Sequence, residues 1–201
     1  MSAEAYQQQI IALADSSDAR VQALHAQYLR GALTLDQLVE AASAVLAASN
    51  SAGRTLAASL LAVQVARGTR QRFGLFRPTR PQGERDRLRD SLRQVVEEVP
   101  DFVAAVEDEA QREAALQESQ RARLTRISRD EPLEASVSAM DEGVTHYGKA
   151  GAVRGWFRRL DADPCPTCRK WAAEGRVYRA SDKIFRHAQC GCVPEPVFRR
   201  S

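Results

Sequence analysis

Cys165-Pro-Thr-Cys168 and, after eighteen intervening residues, His187-Ala-Gln-Cys190-Gly-Cys192 gather all four cysteines of a 201-residue chain, and one of its three histidines, into 28 positions. The first pair is a C-x2-C knuckle, and the second is an H-x2-C pair of the same span with glycine after Cys190. Ligands three residues apart allow one tight turn to aim both at a single ion, and a small residue after the second relieves crowding. Two such turns at this separation have the spacing of a structural zinc site. The expected ligands are Cys165, Cys168, His187 and Cys190 in a closed, four-coordinate arrangement. Cys192 is a fifth candidate, able to replace His187 or Cys190. The competing reading is a pair of disulfides or a set of buried free thiols, and disulfides are uncommon in cytosolic proteins. A catalytic zinc would keep an open position and an acid or base nearby, whereas here thiolates predominate and the donors outnumber four. Pro164-Cys165-Pro-Thr-Cys168 fits half of a deaminase signature, but no H-x-E precedes it.

A metal would decide the fold of the segment around it. Residues 148–201 offer few apolar anchors, among them Trp156, Phe157, Trp171, Val177, Tyr178, Ile184, Phe185 and Val193. An ion worth roughly 10–16 kcal/mol can fold such a stretch where its own core cannot. Upstream the pattern changes. Hydrophobic residues make up 44% of the chain but aromatics only 6%, a balance that favours helices packed through Ala, Val and Leu over a β-sandwich. Tyr6, Ile10, Ile11 and Leu13 recur at helical spacing, and Val21, Leu24, Tyr28 and Leu29 repeat it in a second helix closed by Gly31. Thr34-Leu35-Asp36-Gln37 reads as a capping box opening a third helix of some 30 residues, roughly 45 Å long. Asn50, Ser51 and Gly53 weaken it midway. A further helical block holds Leu92, Val95, Val96 and Val99, breaks at Pro100, and resumes at Phe102, Val103 and Val106. Residues 107–129 are rich in charge and Gln, and read as an exposed helix or as one that needs a partner to bury Leu116, Leu124 and Ile127. Pro132 stands near the start of a last helix.

The expected fold class is mainly α: an elongated helical N-terminal region with a small C-terminal α+β zinc-knuckle module. The expected divisions are helical over 1–66, a basic Gly/Pro linker over 67–88, helical again over 89–147, and the Cys/His module over 148–201. No window approaches 18 uninterrupted apolar residues, so no membrane span is expected. The first residues lack the basic start and apolar run of a signal peptide, which points to a reducing compartment.

The net charge of +3 conceals an asymmetry. Residues 67–89 carry eight Arg against two acids, and residues 149–201 carry twelve Lys or Arg against five acids, so the rest of the chain is strongly acidic. Arg67, Arg70, Arg72, Arg77 and Arg80 form a mobile basic segment suited to polyanions without base specificity. In Arg154-Gly-Trp-Phe-Arg158-Arg159 the aromatics are expected to pack against the module, and the role of the arginines stays open. His25 reads as a surface or half-buried helix residue, and His146-Tyr147 has no acidic or nucleophilic partner in sequence. Neither a G-x-S-x-G turn nor a Walker-type phosphate loop is present.

Taken in order, Gly155-Trp156-Phe157-Arg158, Cys-Pro-x-Cys, Gly175 to Tyr178, His-x2-Cys-x-Cys and Pro194 to Phe198 resemble the MuF-like minor capsid proteins, the phage head morphogenesis family of tailed bacteriophages. The likeness covers about residues 148–198, and the helical remainder agrees in order and composition alone. It implies a non-enzymatic structural protein of the virion, assembled in the host cytoplasm and present in several copies. Its partners would be the portal or the major capsid protein, with non-specific contact to packaged DNA and none to a membrane. It carries over Cys165, Cys168, His187, Cys190 and Cys192 as motif positions. The family usually has a basic residue between the last two cysteines, where this chain has Gly191. Two rival functions are a zinc-ribbon DNA-binding regulator and a metal-dependent hydrolase.

Overall fold

Chain turns and caps set the helix borders. Gly31, at φ 73°, takes the left-handed conformation that ends the first helix. The Gly31 and Ala32 amides donate back to the Tyr28 and Gln27 carbonyls at 2.8 and 2.9 Å. Three residues on, the Gln37 amide donates to Thr34 Oγ1 at 3.2 Å and the Thr34 amide to Gln37 Oε1 at 2.9 Å, which is the capping box read from the sequence. The computed structural model describes residues 1–69, 73–188 and 190–199. The elements are α1 (Ala3–Leu29), α2 (Leu35–Thr69), α3 (Glu84–Glu97), the single turn α4 (Asp101–Ala104), α5 (Glu109–Lys149), β1 (Val153–Arg159), α6 (Pro166–Ala172), β2 (Tyr178–Arg179) and β3 (Val193–Phe198), with a short 3₁₀ turn at Ala173–Gly175. The expected class is what forms: helices first, then a small α+β module.

The chain divides into two compact units: residues 14–49 with 81–131, and residues 1–13 with 50–80 and 132–201. In the first, Val21 of α1, Leu38, Val39, Ala42, Val45 and Leu46 of α2, Leu88, Leu92, Val95 and Val96 of α3 and Leu124 of α5 make one buried cluster, with Leu24, Tyr28 and Ile127 against it. Of the two readings of residues 107–129 the second holds for Leu124 and Ile127, whose partner is within the chain. The seam between α1 and α5 is polar as well as apolar. Gln22 Nε2 donates to Thr125 Oγ1 at 2.9 Å, Ser128 Oγ to Asp18 Oδ1 at 2.8 Å, and His25 Nε2 to Gln120 Oε1 at 3.2 Å. His25 is more deeply buried than expected, at 2% exposure, and burial lowers its pKa below the usual imidazole value. Arg87 pairs with Glu131 at 2.8 Å, Arg89 with Glu40 at 2.7 Å, and Arg85 also with Glu40. Part of the basic excess over 67–89 is thus spent on helix-to-helix pairing.

Three helices run longer than the sequence pattern suggested. α1 is one helix rather than two, because the stretch without large apolar residues buries Ala14 and Ser17 instead. α5 passes through Pro132 without ending, although proline cannot donate to the carbonyl one turn back. α2 is continuous across Asn50, Ser51 and Gly53. In the second unit a Cβ on Gly53 would lie 2.6 Å from the Pro132 carbonyl oxygen, so the absent side chain is what lets α2 and α5 approach. Gly53→Ala, a change worth about 1 kcal/mol of gain in an isolated helix, is accordingly expected to cost about 1–3 kcal/mol here. Ser51→Ala, on the exposed side of the same turn, is expected to be neutral or slightly stabilising. Urea melts followed by helical circular dichroism test the pair, and a Gly53→Ala protein at least as stable as its parent would contradict the close approach.

Residues 74–79 run beside α5 in this unit. The Phe76 amide donates to the Tyr147 hydroxyl, which in turn donates to the Gly74 carbonyl, both at 3.2 Å, and the Thr79 amide donates to Glu142 Oε2 at 2.9 Å. Arg70 and Arg72 of the basic segment lie outside the described residues. The sheet has the order β2-β1-β3, antiparallel throughout, with Trp156 opposite Tyr178 on one side and Pro196 on the other. No helix among the described residues is long and apolar enough to cross a membrane.

Candidate metal centre

β1, α6 and the start of β3 converge on the sulfur cluster. Cys165 is the N-cap of α6, followed by Pro166, whose missing amide costs nothing in a first turn. Its Sγ accepts the Cys168 amide at 3.3 Å, the hydrogen bond that folds C-x2-C into a knuckle. On the other side the Cys192 amide donates to Cys190 Sγ at 3.4 Å. Cys192 is set by the β1–β3 ladder, since Val193 pairs with Arg159 and the Asp161 amide donates to Cys192 Sγ at 3.3 Å.

All five donors predicted from the sequence come together, as two trios that share Cys168. The groups Cys165–Cys168–His187 and Cys168–Cys190–Cys192 each have their ligand atoms within 4.8 Å of one another and can hold a metal ion. His187 Nε2 lies 2.9 Å from Cys165 Sγ and 3.2 Å from Cys168 Sγ, and Cys168 Sγ lies 3.3 Å from Cys190 Sγ. Around a tetrahedral ion with bonds of about 2.3 Å, neighbouring sulfurs stand about 3.8 Å apart, so small outward movements suffice to admit one. A disulfide requires about 2.05 Å between sulfurs, and all four cysteines are free thiols.

The surroundings favour a cation among these sulfurs. Cys168, Cys190 and Cys192 are buried, with Leu160, Cys165 and Trp171 packed around them. Burial pushes the Cys168 thiol up to about 12. A hydrogen bond from Cys192 holds the Cys190 thiol down at about 5, and the same bond, with burial, pushes Cys192 far above the ordinary thiol range. The Cys190 thiolate is thus supported by its neighbours, while Cys168 and Cys192 need a positive charge before they release their protons. His187 Nδ1 donates to the Ala188 carbonyl at 3.1 Å, which leaves the Nε2 lone pair facing the sulfurs. A soft, sulfur-rich set of this kind suits zinc-like ions better than magnesium or calcium.

Sequence reasoning missed the group that balances this charge. Arg158, left open between solvent and phosphate, is 3% exposed. Its Nη1 stands 3.9 Å from Cys168 Sγ and its Nη2 donates to the Phe185 carbonyl. Its guanidinium lies 4.8 Å from the centre of the Trp171 ring and 5.9 Å from that of Trp156. The signal was the alternation of β1: Arg158 shares a face with Trp156, and that face is buried. Trp156 packs as expected, stacked on Tyr178 at 4.3 Å, with Nε1 donating to the Asp182 carbonyl at 3.2 Å. Arg159, on the other face, pairs with Glu195 at 2.6 Å. His146 lies among aromatic rings, 5.1 Å from Tyr147 and 5.8 Å from Phe76.

Gly191 has a local reason of its own. A Cβ there would lie 3.0 Å from both Asp161 Oδ2 and Ile11 Cδ1, and the Gly191 carbonyl accepts Gln7 Nε2 at 2.9 Å. The knuckle is therefore pressed against the first turns of α1, with no room for a longer residue at that place unless its neighbours give way.

Fold and site together define a helical protein whose small antiparallel sheet carries a Cys/His cluster able to hold a metal ion. No family model, curated protein or solved structure matches the chain.

Proposed function

We propose that this chain is a minor structural protein of a tailed-phage head, docked at the portal or the inner capsid wall and assisting head assembly and DNA packaging or ejection. One observation supports this reading above the others. The five stretches that carry the MuF-like resemblance are scattered over some 50 residues of sequence, yet they fall on β1, the two knuckles, the lead into β2 and β3 of one sheet-and-cluster unit. In this reading the ion is zinc, its role is structural, and Cys165, Cys168, His187 and Cys190 bind it. Cys192 stays hydrogen-bonded to the Asp161 amide. The metal supplies folding energy to the module and takes no part in a reaction. The helices supply the docking surface.

A hydrolase would need an open coordination position, and a surplus of buried thiol donors works against one. A zinc-ribbon regulator would need base-edge contacts and so a sequence preference on DNA. The test is sedimentation of the full chain with heads assembled from the major capsid and portal proteins of a tailed phage, with metal measured on the same fractions. The expected result is co-migration with heads in a few copies per particle and a chain that retains its zinc. A chain that stays at the top of the gradient, or that hydrolyses a peptide or phosphoester in a metal-dependent way, overturns the proposal.

A further inference from the structure

Away from the sulfur cluster, four cations with no ion-pair partner among the described residues surround one cavity. A pocket of about 380 Å³ is lined by Lys149 of α5, Arg154 of β1, Arg179 of β2 and Arg199 just beyond β3, with the hydroxyls of Thr145 and Ser181 and no carboxylate. Among the described residues none of these four side chains has an ion-pair partner, while nearby Arg159 and Lys183 pair with Glu195 and Asp141, each at 2.6 Å. We propose that this pocket is a phosphate site that grips the backbone of nucleic acid without reading its bases.

The convergence is built by the fold. A Cβ on Gly148 would lie 2.6 Å from Ala180 Cβ, and Thr145 Oγ1 donates to the Ala180 carbonyl at 3.4 Å, so the end of α5 rests directly on the turn after β2. That contact sets Lys149 beside Arg179. Gly151, at φ 81°, then reverses the chain into β1, and the Arg199 amide donates to the Ala152 carbonyl at 3.2 Å. Arg154 has no opposite residue on β3, because Val153 pairs with Phe198 and Gly155 with Val197. It is the extra residue of a β-bulge, a device that re-aims a side chain. Three of the last four carbonyls of α5, which would repel an anion, are occupied: those of His146, Tyr147 and Gly148 accept the amides of Ala150, Ala152 and Gly151.

Four like charges held together without counter-charges repel one another and are relieved by a polyanion. A lipid surface fits less well, since the exposed large apolar residues, Leu29, Leu75, Val99, Phe102, Val177 and Phe185, all lie outside this lining. The site does not depend on the capsid reading. Equally, a chain without it can still join a head.

The experiment is fluorescence anisotropy with the full zinc-loaded chain and a labelled 30-base-pair duplex, read as NaCl rises from 50 to 200 mM. Four phosphate contacts predict a slope of log K against log salt of about −3.6, equal for two duplexes of unrelated sequence. Lys149→Gln with Arg179→Gln is expected to halve the slope and weaken binding at least tenfold, with zinc content and helical dichroism unchanged. Arg154→Gln, a single exposed change, removes about one unit of slope and serves if the double variant folds poorly. Arg67→Gln with Arg77→Gln, in the other basic segment, is expected to bind as the parent does. No duplex binding, loss caused by the Arg67/Arg77 pair instead, capture by anionic vesicles in preference to duplex, or displacement by low-millimolar inorganic phosphate would each overturn the proposal. Failure here leaves sedimentation with heads untouched, and failure there leaves this binding curve untouched.

Discussion

A Cys168→Ser chain is expected to be purified without metal and to be cut rapidly between residues 160 and 190, while its helices stay folded. Cys168 is the donor common to both trios, so its loss breaks either ligand set rather than one of them. The consequence is large because little else holds the segment. From Leu160 to Cys192 the buried residues among those described are Cys168, Ile184, Cys190 and Cys192. One isoleucine contributes about 2 kcal/mol by burial, against roughly 10–16 kcal/mol for a structural zinc. Elemental analysis of the parent should find about one ion per chain and the variant less than about a tenth of that. Limited chymotrypsin digestion should release the C-terminal segment at least tenfold faster, with the helical dichroism nearly unchanged. Cys192→Ser separates the ligand sets: retained metal assigns the fourth position to Cys190, and lost metal brings Cys192 into the shell. A parent without metal, or a Cys168→Ser chain as resistant as the parent, would remove the ion from the account of this fold.

The two ends of the chain were legible to different depths, for physical reasons. Cysteine spacing survives in sequence because a chelate turn has a fixed length, so all five donors could be named before their geometry was seen. Caps survive too: Gly31 and the Thr34–Gln37 box act through neighbouring residues and do not depend on the rest of the fold. Helix length did not survive in the same way. Gly53, Pro132 and the Ala14–Ser17 stretch read as breaks because their local preferences are poor, and tertiary contact overrules those preferences. The division into discontinuous units was invisible for the same reason, as it depends on which helix segments pack together. Arg158 and Arg154 sit four positions apart in one basic run and have opposite environments. One is sealed between two tryptophans by strand alternation, and the other is exposed by a bulge that sequence does not announce.

The strand that carries both arginines also offers the second large effect, at Gly155. A Cβ built there would lie 2.0 Å from the Tyr178 carbonyl oxygen and 3.1 Å from Val177 Cγ1, so even alanine forces β1 and β2 apart. A backbone clash of this size in a two-residue strand is expected to cost about 3 kcal/mol or more, and β2 has no other partner among the described residues. The loss reaches the cluster by two routes. Trp156, opposite Tyr178, stacks on it and forms one wall beside Arg158, whose guanidinium stands near Cys168. β1 also leads directly to Asp161, whose amide holds Cys192. Gly155→Ala should therefore shift tryptophan emission to the red as Trp156 becomes exposed, and should speed removal of the metal by a chelator at least tenfold. Gly74→Ala, where an added Cβ meets nothing within 4 Å, is the matched control and should change neither. If both variants keep the parent's emission and chelator resistance, then β2 is not what seats Trp156, and the sheet is not what steadies the sulfur cluster.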